Sequence, residues 1–369
     1  MQFYIIYIMI VGIQAIIFRI LEENNEKYYV NHKRYIYRSR YKKIFLILSC
    51  TELIILAGLR GHDIGADTTV YLSALVNYRN MPHDSILLAK LVYPYKFEWG
   101  YFFLTKLCAW VGVSETLFLF LIAILSYVPI FKYIYKESNS PFLSILIYFS
   151  FGYFSYSLGI FRQMIAINIM LCGVKYIFQK NLLRYLVCLF FAMSFHFTAI
   201  VMLPLYWIYK IDLRKYTCII FLLEFILFLY GRVLIMDILK IFTGYSSYIS
   251  SKYDFVGGSY KNIILLNLIL IGNLFILKNK SVLKEKDRMI LAQLVCAIFL
   301  QIIGYHMGIF GRIVIYYSIF LLSIIPQTID RMFTYKSSVF IRLIFLIFLI
   351  ILFYFEFNNN IYVTPYYFN

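Results

Sequence analysis

The chain has 369 residues, of which 62% are hydrophobic, a mean hydropathy of +0.78 and a net charge of +17. A soluble domain has about 45–50% apolar residues. Here the apolar residues fall in runs of roughly 15–20, long enough to cross a bilayer core of about 30 Å. We therefore predict an all-α, polytopic integral membrane protein. The basic excess lies mainly in short loops between apolar runs, where it sets topology, so we expect no nucleic acid among the partners.

About twelve transmembrane helices are predicted in chain order, within a range of ten to thirteen. The first apolar run shows no small-residue cleavage site, so we interpret it as a retained span rather than a secretory signal. The predicted spans are 3–20, 44–60, 116–135, 141–160, 162–179, 182–196, 197–210, 216–235, 261–278, 288–306, 311–329 and 338–356.

The distribution of basic residues predicts the orientation. The first connecting loop, 21–43, is rich in lysine and arginine, which is typical of a cytoplasmic loop. Alternation of the spans then places every later basic loop on the same side and both termini outside. The sequence thus predicts a single integral membrane domain, 1–369, with two large external loops, 61–115 and 236–260.

Two segments do not behave as simple crossings. Counting 98–113 as a span would reverse every later loop, so we interpret it as a re-entrant or interfacial helix, which is tolerated at membrane depth where it lines a wet cavity. Stretch 182–210 is long for one tilted span and short for two. We predict two half-spans that meet outside at His196, because short or broken helices commonly frame membrane binding sites.

Five cationic or imidazole side chains lie at span ends that this topology places outside, against the usual cytoplasmic bias. An anionic substrate would account for them, since ionisable groups in membrane segments commonly mark functional sites. The alternative for an arginine is a side chain that reaches to the interface. The alternative for a histidine is a buried structural role, which we favour for His306. The five are Arg60, Arg162, His196, His306 and Arg312.

Two carboxylates follow the second span in a loop. Gly61 and Gly65 allow tight turns there, so Asp63 and Asp67 can point back toward the membrane. These carboxylates could act as a base, bind a metal ion or hydrogen-bond sugar hydroxyls. The alternative for Asp67 is a cap for a helix that starts at Thr68.

Other polar residues accompany the doubtful segment and the spans. Glu98 opens the segment interpreted as re-entrant, and its alternative is a helix-start carboxylate favoured by the helix dipole. Gln163 follows Arg162 directly. Glu52 and Glu224 lie inside spans and would suit a proton-coupled transporter.

Five short motifs in order give the chain a family resemblance. Each is weak alone, but together they run from residue 60 to 326. The sequence resembles the EpsG family of bacterial polysaccharide-biosynthesis membrane proteins, which are similar to Wzy-type polymerases. The motifs are RGHDIGADTTVY (60–71), EWGY (98–101), FRQMIAI (161–167), FHFTA (195–199) and GRIVIYY (311–317) ahead of Pro326.

The resemblance implies a substrate and a place. Oligosaccharides linked through diphosphate to a polyprenol would be polymerised on the outer face of the bacterial cytoplasmic membrane, in capsule, exopolysaccharide or O-antigen synthesis. The implied fold is similar to that of membrane glycosyltransferases that use lipid-linked donors. We therefore expect a glycosyltransferase that needs no metal ion or other cofactor. Expected partners are the lipid-linked oligosaccharide, the growing polysaccharide, membrane lipid, and a chain-length regulator or flippase.

Physical chemistry gives the residues their expected roles. A polyprenyl diphosphate gains negative charge as the glycosidic bond breaks, and arginines fixed in a low-dielectric cavity would stabilise that charge. A carboxylate or histidine could deprotonate the acceptor hydroxyl. The acid–base candidates are Asp67, Glu98 and His196, and the candidates for binding diphosphate or sugar are Arg60, Asp63, Arg162, Gln163 and Arg312.

The sequence leaves two other functions open. A transporter or flippase of lipid-linked oligosaccharides would distribute charges through the depth of the spans and show pseudo-symmetric halves, whereas here the polar residues gather at one face and no repeat is visible. A non-catalytic scaffold of a synthesis complex would leave the arginines unexplained.

Overall fold

The computed structural model describes residues 1–26, 33–81, 97–241, 260–333 and 335–368. Within these ranges the chain is helical, and the only β-type pairing is one isolated bridge between Arg60 and Phe368. The predicted all-α class is therefore confirmed. Parts of the predicted external loops, 82–96 and 242–259, lie outside the described residues.

The helices are numbered in chain order over the described ranges, and three short 3-10 helices, Phe197–Met202, Leu213–Tyr216 and Gly308–Arg312, join some of them. They are α1 (Gln2–Glu26), α2 (Lys33–Gly58), α3 (Thr68–Arg79), α4 (Trp99–Val111), α5 (Glu115–Glu137), α6 (Pro141–Ser150), α7 (Tyr153–Gly159), α8 (Phe161–Gly173), α9 (Lys175–Phe178), α10 (Leu182–Phe195), α11 (Leu205–Ile208), α12 (Thr217–Ile241), α13 (Tyr260–Leu277), α14 (Glu285–His306), α15 (Ile315–Ser318), α16 (Leu321–Met332) and α17 (Tyr335–Asn359).

Among the described residues, 7 helices are long and apolar enough to cross a membrane, or up to 9 if each of two bent pairs forms one span. Every one of them corresponds to a predicted span. The protein is thus polytopic and helical, but the predicted count of about twelve is not supported. The bent pairs are Pro141–Ser150 with Tyr153–Gly159, at 61°, and Phe310–Ser318 with Leu321–Met332, at 51°.

Three predicted spans, 44–60, 182–196 and 197–210, account for the difference between the twelve predicted spans and the 9 that the helices allow. The first half of α2 is basic, and its apolar part, 44–58, covers only about 22 Å at 1.5 Å per residue. Helix α10 and the segment Phe197–Ile208 are apolar but fall short of 18 residues. The chain does leave the helix at His196 as predicted, because α10 ends one residue before it and a 3-10 helix begins one residue after.

The chain divides into two compact units. Unit 1 consists of Met1–Lys175, Arg184–Ala199 and Val339–Asn369, and unit 2 of Tyr176–Leu183 and Ile200–Ser338. Every candidate site residue except one, Arg312, therefore lies in unit 1.

Unit 1 is built on α2, α5 and α8, with α5 packed against both of the others. Buried aromatic rings fill one end of it. Phe149 and Phe154 stack with ring centroids 4.4 Å apart, and Tyr4 of α1 lies 5.4 Å from Phe154 and 4.7 Å from Phe357 of α17. Burial of these rings holds the first and last helices together.

In unit 2, α14 packs against α12 and α13. The Asp287 side chain is 2% exposed and accepts hydrogen bonds from Arg331 at 2.8 Å and Lys280 at 3.1 Å, so its buried charge is paired from two sides. His306 is buried at the end of α14, with Nε2 3.0 Å from the carbonyl oxygen of Leu227. This contact agrees with the structural role favoured for His306.

A glycine pair tests the packing of the loop before α3. Gly65 has a φ of +111°, and a Cβ there would lie 2.1 Å from the carbonyl oxygen of Leu158, whereas Gly112 has a φ of +78° and open space around it. Alanine at either position costs about 1–3 kcal/mol of backbone strain, and at Gly65 the overpacked loop adds about 1–3 kcal/mol. We expect Gly65→Ala to lower the thermal unfolding midpoint in detergent more than Gly112→Ala. Equal losses would contradict the close approach of this loop to Leu158.

Candidate functional site

The carboxylate of Glu98 is the centre of a polar cluster in unit 1. Glu98 precedes α4, but its side chain makes no capping hydrogen bond to that helix. Instead, Oε2 accepts a hydrogen bond from Nη1 of Arg162 at 2.5 Å, and Oε1 lies 2.9 Å from Nδ1 of His196. Oε1 also accepts from the backbone N–H of Phe197 at 3.2 Å. Three donors from two distant segments therefore converge on one carboxylate.

The ionisation of this carboxylate decides the direction of the hydrogen bond to its imidazole neighbour. Burial raises the pKa of Glu98, but the hydrogen bond from His196 and the positive charge of Arg162 outweigh burial and lower the pKa to about 2. Glu98 is thus ionised at neutral pH, and its oxygens can only accept hydrogen bonds. Nδ1 of His196 must then donate the hydrogen bond to Oε1, and in the neutral tautomer that this bond selects the lone pair is on Nε2. No described residue hydrogen-bonds to Nε2, so it can take a proton from a bound molecule.

The cluster is partly open. The side chains of Glu98 and Arg162 are each 22% exposed, and that of His196 is 23% exposed. The guanidinium of Arg162 lies 5.0 Å from the centroid of the Phe97 ring, and its Nε is buried with no hydrogen-bond partner among the described residues. Because these polar groups are mostly withdrawn from water, the electrostatic interactions between them are stronger than they would be in water.

A glycine allows Glu98 to reach His196. A Cβ on Gly100 would lie 2.5 Å from Oγ and 2.8 Å from the carbonyl oxygen of Ser194, so a larger residue would hold α4 away from the end of α10. Glu98 lies two residues before Gly100 and His196 lies two residues after Ser194. The close approach of the two backbones therefore brings the carboxylate and the imidazole together.

Aromatic stacking places the arginine. Arg162 lies in the first turn of α8. The preceding residue, Phe161, stacks on Tyr71 of α3 with ring centroids 4.6 Å apart, and Tyr71 packs edge-on against Tyr101 of α4 at 5.2 Å. These rings fix α3, α4 and α8 around the cluster.

Arg60 does not join the cluster. It is 1% exposed, and its guanidinium donates hydrogen bonds to the backbone carbonyl oxygens of Ala57, Ile64 and Leu158, the last two at 3.1 and 3.0 Å. The predicted diphosphate-binding role does not fit this geometry, because these donors satisfy buried carbonyl groups that would otherwise be costly to leave unpaired. Arg60 instead fixes the loop that follows it.

The other predicted residues near this loop lie in different surroundings. Asp63 is exposed and accepts a hydrogen bond from the hydroxyl of Tyr367. The half-buried Asp67 makes no side-chain capping bond to α3, so the capping alternative is not supported. Burial raises the pKa of Tyr71, the charge and hydrogen bond of Arg162 oppose that rise, and the charges of Asp67 and Glu98 add to it. Gln163 is 5% exposed.

Arg312 lies in unit 2, exposed at the end of the 3-10 helix Gly308–Arg312, and its binding role stays a prediction. Over the ranges that the structure describes, no group of three histidine, cysteine, aspartate or glutamate side chains could hold a metal ion.

The residues after the last span also belong to the surroundings of the site, although no motif predicts this. The C-terminal segment, 360–368, pairs with the loop 60–68: the N–H of Gly61 donates to the carbonyl oxygen of Tyr367 at 2.9 Å, and the N–H of Gly65 to that of Tyr362 at 2.7 Å. The aromatic-rich composition of this segment was the signal in the sequence that could have indicated it.

Compared with known protein families, residues 43–368 match the EpsG family. The match therefore includes the loop 60–68, the Glu98 cluster and the C-terminal segment. No match was found among curated proteins or among solved structures.

The low pKa of Glu98 predicts an acid-dependent contribution to stability. The pKa in the folded protein, about 2, is below the ordinary value of 4.5, so the stabilisation is complete above pH 4.5 and is lost as the pH falls toward 2. We expect wild type to be more heat-stable than Glu98→Gln near neutral pH and this difference to shrink below pH 4.5.

The control for that measurement is Glu285→Gln. Its carboxylate pairs with Lys180 at 3.9 Å, with side chains 40% and 75% exposed, and such surface pairs contribute little. Its thermal midpoint should follow that of wild type across the same pH range. A constant difference in thermal midpoint between wild type and Glu98→Gln from pH 7 to pH 2.5 would contradict the lowered pKa of Glu98.

Proposed function

Because the chain belongs to the EpsG family, we propose that it is a membrane glycosyltransferase that polymerises polysaccharide. It joins polyprenyl-diphosphate-linked oligosaccharide repeat units on the outer face of the cytoplasmic membrane, in capsule, exopolysaccharide or O-antigen synthesis. The observation that supports this function is the Glu98 carboxylate, which binds Arg162 and His196 at once.

In the proposed reaction, His196 is the general base. A hydroxyl of the acceptor sugar attacks the anomeric carbon of the donor, and its proton passes to Nε2 of His196. The bond between the anomeric carbon and the diphosphate oxygen breaks, and polyprenyl diphosphate leaves with the electron pair. General base catalysis of this kind is worth roughly 10²–10⁴-fold.

Glu98 positions this base. A carboxylate with a pKa of about 2 is too weak a base to take the proton itself. By accepting a hydrogen bond from Nδ1–H, it fixes the tautomer and orientation of His196 and stabilises the imidazolium that forms. The three acid–base candidates thus separate into His196 as base, Glu98 as its positioning residue, and Asp67 as a second carboxylate for the acceptor hydroxyl.

Arg162 is the proposed diphosphate ligand. Its guanidinium is held by Glu98 and Phe97, so it is oriented before the substrate binds, and a preorganised cation stabilises charge that grows in the transition state. Gln163, Asp63 and Arg312 keep their predicted roles as ligands of diphosphate or sugar.

Polymerisation by purified protein tests both assignments. Supplied with defined lipid-linked repeat units, wild type should form polymer, and His196→Gln should lose roughly 10²–10⁴-fold in rate because no base remains. Arg162→Lys should lose about 10–100-fold, because a point charge cannot reproduce the planar donor fork. Arg184→Lys on the exposed face of α10 is the matched control and should retain wild-type activity.

Near-normal polymer from His196→Gln or Arg162→Lys, at wild-type protein abundance, would refute the role of that residue. Translocation of lipid-linked repeats without any polymer would favour the flippase alternative.

Asp67→Asn tests whether the site needs the negative charge of Asp67 or only a hydrogen-bonding oxygen at that position. Asparagine and aspartate cap helices almost equally well, and the side chain makes no capping bond here. We therefore expect this variant to accumulate normally but to form little or no polymer and to leave unpolymerised repeats in cells. Full-length polymer at wild-type abundance would show that the charge at Asp67 is dispensable.

A further inference from the structure

The C-terminal segment is paired to the loop 60–68 through its backbone. Two N–H groups of the loop, of Gly61 and Gly65, donate to carbonyl oxygens of the segment at 2.9 and 2.7 Å. An isolated antiparallel bridge joins Arg60 and Phe368. The segment therefore lies antiparallel to this loop and is hydrogen-bonded to it through the backbone.

The segment is also anchored to the body of unit 1. The hydroxyl of Tyr366 donates to the carbonyl oxygen of Leu56 on α2, and the hydroxyl of Tyr4 on α1 donates to that of Val363 at 2.9 Å. Tyr366 is 6% exposed and its ring packs against Tyr4 with centroids 5.2 Å apart. The segment is thus tied to two helices.

The loop in turn holds the end of α7, which directly precedes α8. The carbonyl oxygen of Leu158 accepts hydrogen bonds from Arg60 at 3.0 Å and from the hydroxyl of Thr68 at 2.8 Å. Leu158 lies four residues before Arg162. A continuous chain of contacts thus leads from the C-terminal segment, through the loop, to the arginine that binds Glu98.

We propose that the C-terminal segment, 360–368, is a positioning element of the active site, which fixes the loop 60–68 and through it Arg162. This proposal rests on the proposed function for its effect on catalysis. Tyr366 is its main anchor and acts as a positioning residue, since it touches neither the cluster nor, in the proposed reaction, the substrate.

Hydrogen exchange and kinetics together test the proposal. We expect Tyr366→Ala to speed amide exchange in residues 60–68 and to lower kcat by about tenfold with little change in KM, because small misplacements of catalytic groups are costly. Tyr366→Phe keeps the ring and should restore most of kcat. Ile361→Ala, in the same segment but 80% exposed, should match wild type in both measurements.

One control separates positioning from general loss of stability, and a substitute variant covers the case in which Tyr366→Ala does not fold. Gly112→Ala destabilises unit 1 away from the segment and should leave kcat near wild type at a temperature where both proteins are folded. If Tyr366→Ala does not accumulate, Tyr367→Ala replaces it, since that change removes the ring beside Gly61 and the hydrogen bond to Asp63.

Unchanged exchange in residues 60–68, or faster exchange with wild-type kcat, would overturn the proposal. The exchange measurement needs no catalytic activity. Failure of the segment to hold the loop is therefore distinguishable from failure of the polymerase assignment, which His196→Gln tests in the same assay.

Discussion

A carboxylate that leaves water loses several kcal/mol of solvation unless other donors replace the lost hydrogen bonds. Glu98 is in this position, with its side chain 22% exposed. Its donors come from Arg162, His196 and the N–H of Phe197. Because the two side-chain partners lie 64 and 98 residues further along the chain, the requirement to compensate one buried charge brings α4, α8 and the break after α10 to one point.

The same carboxylate explains why the break in the chain at His196 is stable. The first N–H groups of a new helix have no partner within it, and the N–H of Phe197, where the 3-10 helix begins, is such a donor. Glu98 accepts that hydrogen bond from a different element, and its negative charge suits a helix start. One side chain thus both ends the α-helical run and orients the imidazole.

The sequence was sufficient to predict the helices and part of the cluster. Hydropathy located each helix that could span a membrane, and charge asymmetry selected Arg162 and His196 as unusual. The sequence could not predict that Arg162 and His196 meet, because no local pattern shows that Glu98 contacts both. The number of spans was overestimated because an apolar run of about 15 residues gives the same signal whether or not it crosses the bilayer.

Arg60 and Arg162 show what a local sequence pattern cannot predict. Each is an arginine at the end of an apolar run, so the sequence gives both the same interpretation. The difference lies in what approaches them. The carbonyl oxygen of Leu158 meets Arg60 from 98 residues away, whereas a carboxylate meets Arg162. Long-range contacts of this kind follow from the packing of the whole unit, not from the local pattern.

Three glycines show how closely the segments of the site are packed. A Cβ would clash with the Tyr367 ring at Gly61, with the carbonyl of Leu158 at Gly65 and with Ser194 at Gly100. All three positions are places where two segments of the site meet, and at two of them the obstacle includes backbone atoms. The polar side chains are therefore carried on backbones that are in close contact. That arrangement leaves Nε2 of His196 unbonded by any described residue in a site whose surroundings are otherwise closely packed.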